Sequence, residues 1–131
     1  MAGNRRAPVY EVARLDPIEE CYRRGWTDGL PVVPPTVDRV TEMLDYAGLA
    51  PDLVLGEVAV RRRVLTAEQA AANAVMAGCL PSYFPVVLAT MEALFEYDPN
   101  CIHEASAATN SPGILILVNG DIRLRIGLNC T

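Results

Sequence analysis

The feature that most constrains the fold of this chain is a run of two consecutive helix patterns over residues 66–96. Thr66 is a favourable N-cap residue and Gln69 completes a capping box, so the first helix is predicted to begin at Ala67. Its many alanines favour a helix that packs closely against a neighbour. Pro81 suits the first turn of the second helix, because a proline loses no hydrogen bond there.

The corner between these helices, Gly78-Cys79-Leu80-Pro81, carries a thiol. Backbone N–H groups at the start of a helix favour a thiolate nearby, so Cys79 is a candidate catalytic residue. A packed, unreactive thiol is the alternative, as it is for Cys21, Cys101 and Cys130. The four cysteines form no C-x-x-C pair and no export signal precedes them, so we expect reduced thiols.

Hydrophobic residues make up 51% of the chain, and the mean hydropathy is +0.19. The 131 residues suffice for one domain, which we place at 16–131 after an N-terminal arm at 1–15. No apolar run is long enough to cross a membrane, and the N-terminus lacks the apolar region of a signal peptide, so a cytoplasmic location is expected. The excess of apolar residues points towards a subunit interface.

The formal net charge of −5 argues against a nucleic-acid partner. All eleven basic residues are arginine, which excludes Schiff-base chemistry and a P-loop lysine within this chain. The partners that we expect are a small-molecule substrate and a second protein subunit.

Residues 25–36, GWTDGLPVVPPT, form a glycine- and proline-rich loop of defined shape. A short strand over 30–33 is possible only at a sheet edge or strand end. Trp26 and Asp28 are candidate substrate-binding residues if the loop forms a pocket wall. The alternative is a tryptophan packed on the core and an aspartate in an Asx turn.

Helix signals flank this loop. Asp16 as N-cap predicts a short helix that ends at Gly25, and Thr36 predicts a second helix that runs to Ala47 and closes at Gly48. Residues 54–60 form a candidate strand. The three arginines at 61–63 are interpreted as an anion clamp, as turn residues or as a subunit contact.

The only histidine, His103, follows Cys101 by two residues and opens a small polar loop through residue 113. We treat His103 as a candidate catalytic residue, with Thr109 and Asn110 as substrate-binding candidates. A structural, hydrogen-bonded histidine is the alternative. C-x-H supplies two ligands, too few for a metal site, so both the metal and the cofactor stay unknown.

Asn73 on the first helix of the 66–96 run is a further substrate-binding candidate or a buried structural amide. Towards the C-terminus, Asn119-Gly120 separates the apolar run at 114–118 from an alternating pattern at 121–126. This arrangement predicts a C-terminal β-hairpin, with Asn119 as another substrate-binding candidate. A sheet that stops there leaves an edge that needs a partner.

The predicted fold class is therefore α/β: a small mixed sheet packed with about four helices, ending in the hairpin and completed by a partner chain.

From Gly25 onward the chain resembles an uncharacterised bacterial family that is associated with UGSC-type selenocysteine- or cysteine-containing proteins. The matching blocks are residues 25–36, residues 66–94, the loop from His103 to Pro112 and residues 116–123. The resemblance implies thiol chemistry but transfers no established reaction. Members of the family usually continue well beyond the last block and have a histidine where this chain has Asn110. The chain thus resembles the N-terminal portion of a longer protein, whose remainder we expect as a separate subunit encoded nearby.

Three functional hypotheses follow. The first is a subunit of a hetero-oligomeric enzyme with an interface active site, acting on a small molecule by lyase- or hydrolase-like, thiol- or redox-linked chemistry. The second is a self-sufficient cysteine enzyme with Cys79 as nucleophile and His103 as base. The third is a non-catalytic subunit that binds or stabilises a partner through the same loops.

Overall fold

The computed structural model describes residues 8–10, 16–97, 103, 107 and 113–128. The described part is mixed α/β, with five α-helices and two strands. In chain order the elements are α1 (Pro17–Arg23), α2 (Val37–Ala47), β1 (Val54–Val58), a 3-10 helix (Ala59–Arg61), β2 (Arg63–Thr66), α3 (Ala67–Met76), a second 3-10 helix (Pro81–Tyr83), α4 (Phe84–Tyr97) and α5 (Asp121–Arg125).

The predicted helix starts are confirmed at the level of single hydrogen bonds. Asp16 Oδ1 accepts from the Ile18 amide at the start of α1. Thr66 and Gln69 form the complete capping box at the start of α3. Each bond satisfies a backbone group that the first helical turn leaves without a partner.

Four helices end in the same way, with a glycine in the left-handed conformation. At the end of α3, the amide of Gly78 (φ +80°) donates to Val75 O, and the next amide donates to Ala74 O. These two hydrogen bonds form the Schellman motif. Its first residue after the helix has a positive φ, which glycine adopts without strain. The glycines are Gly25, Gly48, Gly78 and Gly127.

The sheet has two antiparallel strands in the described part of the chain, where the sequence predicted a mixed sheet. Gly56 pairs with Leu65 and Val54 with Thr66, so Leu55 is the extra residue of a β-bulge. The second strand was not predicted, because arginines at 61–63 resemble a polar turn. Arg62 does occupy that turn with φ +51°, but β2 begins at the next residue.

The core lies where α2, α3 and α4 meet. Phe84 and Met43 are its largest fully buried side chains. The buried alanines of α3 bring its backbone close to α2, as the alanine-rich sequence predicted. The core cluster comprises Val40, Met43, Leu44, Ala67, Ala70, Ala71, Ala74, Val75 and Phe84.

The predicted C-terminal hairpin is wrong. Residues 121–125 form helix α5, and no ladder bond joins residues 113–119 to any described residue. The spacing of Ile122 and Ile126 fits a helical turn as well as a strand. Asp121 in the first turn and basic residues in the last complement the helix dipole, and Gly127 closes the helix.

The short strand considered at residues 30–33 is also absent from the structure. Val33 makes a single backbone bond, to Met76 O, and the neighbouring prolines have no N–H for a ladder. Within the described ranges, the longest apolar helix is still too short to cross a membrane.

Candidate functional site

The corner between α3 and α4 is fixed by its backbone. The Cys79 amide donates to Ala74 O at 2.9 Å, as the second bond of the Schellman motif. That amide is therefore not free to bind a ligand oxygen. The turn that follows is a 3-10 helix that opens with Pro81, which has no N–H. The helix-start argument for Cys79 thus loses its structural basis, and any chemistry at this corner must use the thiol itself.

The Cys79 side chain is half-buried and packs against the edge of the core cluster. It lines a small cleft between α2 and the corner, with a volume of about 260 Å³. The walls are mostly apolar. They are formed by Val33, Arg39, Glu42, Met43, Val75, Gly78, Cys79, Leu80 and Pro81.

Two charged side chains enter this cleft from α2, and the sequence reading did not select them. Arg39 and Glu42 are three residues apart, a spacing that places them on neighbouring positions of one helix surface. Both are exposed, and neither side chain makes a hydrogen bond or ion pair with a described residue. The cleft thus brings together a thiol, a guanidinium and a carboxylate. In the sequence, Arg39 and Glu42 could have been selected by their positions in the first two turns of the helix that Thr36 caps.

His103 lies against the turn between the two strands. Arg61 Nε donates to His103 Nδ1 at 3.0 Å, so that ring nitrogen acts as an acceptor. The Cys79 thiol makes no hydrogen bond with a described residue, so its pairing with His103 stays a prediction.

The loop from Gly25 to Thr36 is held by contacts with residues that precede it and by a turn of its own. The ring of Trp26 lies 5.8 Å from that of Tyr10, and the Arg24 guanidinium lies 3.8 Å from the Tyr10 centroid and 5.3 Å from the Trp26 centroid. Such cation–π contacts hold the arginine between two rings. The Asp28 carboxylate accepts from the Leu30 amide at 3.4 Å, which is the Asx turn considered above.

A buried carboxylate on α1, which the sequence analysis also missed, binds Arg24, the residue that precedes this loop. Glu20 is 5% exposed, and Arg23 binds both of its oxygens at 2.6 and 2.8 Å, while Arg24 contacts one of them. The hydrogen bonds from Arg23 outweigh the opposing effect of burial and lower the pKa of Glu20 to about 2, with Arg24 adding to the shift. Burial raises the pKa of the neighbouring Cys21 thiol.

The remaining candidate residues are dispersed. Asn73 is exposed and donates to Gln69 O at 2.8 Å on its own helix, and Asn119 is exposed beside the apolar run. Thr109 and Asn110 lie outside the described residues. The structure therefore places Cys79 in the cleft and Trp26 with Asp28 on a separate loop, which reaches the corner where Val33 bonds to Met76.

The part of the chain that the structure describes contains no group of three or more histidine, cysteine or carboxylate side chains arranged to hold a metal ion. Comparisons with protein-family models, with curated proteins and with solved structures found no match to this chain. Membership of the family named above therefore remains a hypothesis.

Proposed function

We propose that this chain is one subunit of a hetero-oligomeric enzyme, and that the cleft beside Cys79 becomes its active site when a second subunit covers it. The substrate is a small molecule with an anionic group, and the chemistry is lyase- or hydrolase-like, with participation of the thiol.

The cleft is the observation that carries this proposal. It combines Cys79, Arg39 and Glu42 on an apolar floor, which is the composition of a small-molecule site. Its volume of about 260 Å³ is below the range of roughly 300–1,000 Å³ that is usual for ligand pockets. A second protein surface that closes the cleft would supply the missing enclosure.

Each polar group then has a distinct role. Arg39 binds a carboxylate or phosphate of the substrate, because a guanidinium forms two parallel hydrogen bonds to such groups. Cys79 is the nucleophile or redox thiol, and Glu42 accepts a proton or a hydrogen bond. His103 acts as a second base in this proposal.

The test is native mass spectrometry of the chain co-expressed with the products of its neighbouring genes, together with metal analysis of the same sample. A stoichiometric complex supports the proposal. Leu80 lies on the rim of the cleft and is 56% exposed, so Leu80→Asp should abolish the complex. Val60→Asp is the matched control, because Val60 is 64% exposed on the turn between the strands. A chain that joins no partner, or a complex that survives Leu80→Asp, contradicts the proposal.

The partial exposure of Cys79 on the wall of the cleft favours a second candidate, the self-sufficient cysteine enzyme. In that case Cys79 should be alkylated by iodoacetamide faster than a free cysteine near neutral pH, and His103→Ala should slow that reaction. The nearly buried Cys21, which is 2% exposed, serves as the internal control in the same peptide map. A rate equal to that of free cysteine, unchanged by His103→Ala, rules this candidate out.

A further inference from the structure

The backbone that ends α1 gives Trp26 a defined position. The Gly25 amide donates to Tyr22 O at 2.9 Å, and the Trp26 amide donates to Cys21 O at 3.0 Å. These two bonds form a Schellman motif, which fixes the direction in which the chain leaves the helix. The only tryptophan of the chain is therefore held beside the last turn of α1.

Arg24 is held beside Trp26 by a carboxylate with little access to water. Its Nε donates to the Glu20 carboxylate one turn earlier, and the side chains of Arg24 and Glu20 are 22% and 6% exposed. A charge-assisted hydrogen bond of this kind is stronger than a neutral one, and it leaves the planar face of the guanidinium available to an aromatic ring. We call Arg24 and Trp26 the α1 platform.

Tyr10 lies against both members of the α1 platform. Arg24 Cζ is 3.8 Å from the centroid of the Tyr10 ring, and the ring centroids of Tyr10 and Trp26 are 5.8 Å apart at an interplanar angle of 52°. These distances are within the ranges of cation–π contacts and of aromatic pairs. No backbone hydrogen bond joins residues 8–10 to the rest of the described chain, so the contacts of this segment with α1 are those of the Tyr10 ring.

From these contacts we propose that residues 8–10 are a strap, which Tyr10 fastens to the α1 platform and which covers part of Trp26 until it is released. Tyr10 and Trp26 are 46% and 43% exposed, so their contact lies at the surface. A segment attached by one side chain at the surface opens without the unfolding of α1 or of the core, because local openings follow local contacts.

The strap and the loop at residues 25–36 meet at Trp26. A ligand that stacks on Trp26 beside the Arg24 guanidinium competes with Tyr10 for that position, so the fastened strap is an autoinhibitory contact for this candidate substrate-binding residue. The strap is independent of the chemistry proposed for Cys79, because neither Tyr10 nor the α1 platform lines the cleft.

The first test is limited proteolysis with chymotrypsin, followed by mass spectrometry. The protease must bind the Tyr10 side chain to cleave after it, so the cleavage rate reports the released strap. Arg24→Gln should raise that rate about five-fold, the change in population expected from the loss of one cation–π contact near the surface. Arg63→Gln is the control, because it makes the same change of charge at an exposed position on β2.

The second test is the emission of Trp26, which reports the strap without a label because the chain has no other tryptophan. Tyr10→Ala should shift the emission to longer wavelength and increase its quenching by acrylamide. Tyr10→Phe keeps an aromatic ring and should change neither quantity. Tyr46→Ala is the control, since Tyr46 is 52% exposed on α2 and should also leave the emission unchanged. Circular dichroism shows whether each variant is folded.

Three results would overturn the strap. They are an unchanged emission in folded Tyr10→Ala, equal cleavage after Tyr10 in Arg24→Gln and Arg63→Gln, and wild-type cleavage as fast as that of a free peptide with the sequence around Tyr10. Loss of the Leu80-dependent complex would contradict the proposed function alone, because neither test uses a second subunit.

Discussion

Gly56 on β1 lies directly beneath the ring of Phe95 on α4. A β-carbon added at Gly56 would approach three ring carbons of Phe95 more closely than 3.0 Å, a separation that real β-carbons essentially never show. The absence of a side chain at this one strand position therefore determines how closely α4 packs on the sheet.

Gly56→Ala should destabilise the protein by about 1–3 kcal/mol, the usual cost of overpacking a core contact. Urea unfolding measures the difference. Gly113→Ala is the control, because a β-carbon there meets nothing within 4 Å and the backbone is not in the left-handed region. Combining Gly56→Ala with Phe95→Leu should recover part of the loss, and equal stability of the two alanine variants would contradict the packing argument.

Gly78→Ala should cost about 1 kcal/mol for a different reason. A β-carbon at Gly78 has space, since its nearest neighbour would be Val33 Cγ2 at 3.9 Å, but φ is +80°. An alanine is strained in that conformation, whereas asparagine tolerates it better. Urea unfolding should therefore rank stability as glycine, then asparagine, then alanine. The reverse order of the last two variants would show that space, not conformation, limits this position.

The two threonine N-caps should differ in importance. Thr66 is fully buried within a complete capping box of two hydrogen bonds, whereas Thr36 is exposed and accepts a single one from the Arg39 amide. Thr66→Ala should cost about 2 kcal/mol, at the upper end for an N-cap, and Thr36→Ala about 0.5 kcal/mol. Thermal or urea unfolding compares them, and Thr66→Ser should retain most of the stability. Equal losses at the two sites would contradict the ranking.

Glu20 should make stability depend on pH in the acidic range. Its pKa is lowered in the folded chain from an ordinary value of 4.5 to about 2, so the folded state favours the charged form. The contribution is present above pH 4.5 and is lost as the pH falls from 4.5 towards 2.

Urea midpoints measured across that range test the sign. Glu20→Gln should remove part of the acid-dependent fall in stability, because the glutamine does not titrate. Glu19→Gln is the matched control on the exposed side of the same helix turn. If the two glutamine variants follow the same acid profile, the ion pairs of Glu20 with Arg23 and Arg24 are not its cause.

The helix boundaries were predictable because each one depends on local hydrogen-bond chemistry. Thr66 with Gln69, and Gly48 after Ala47, specify an end within a few residues of sequence. The strand at 63–66 was missed because its arginine-rich start resembles a polar turn, and its pairing with β1 is a contact that no local pattern records. The C-terminal hairpin was predicted wrongly for a related reason. The spacing of Ile122 and Ile126 fits both the two-residue period of a strand and one turn of a helix.

The candidate site was predictable only in part. Cys79 stood out by its position at a corner, and the structure does place it in a cleft. Arg39 and Glu42 were missed because charged residues on a helix look like solvated surface until a cleft is found beside them. Trp26 was selected as a rare residue, yet its ring contact is with Tyr10, in a part of the chain that no pattern within the loop indicates.

The hydrogen bonds that close the corner at Gly78 use main-chain atoms alone, and this has a practical consequence for residue 79. Because the end of α3 takes nothing from the thiol, a fluorophore or spin label attached to Cys79 should leave the helix end unchanged while reporting on whatever enters the cleft. Cys79, the candidate nucleophile, is thus also a suitable site for a spectroscopic label. Such a label would detect a subunit or a small molecule that covers the cleft before the reaction is known.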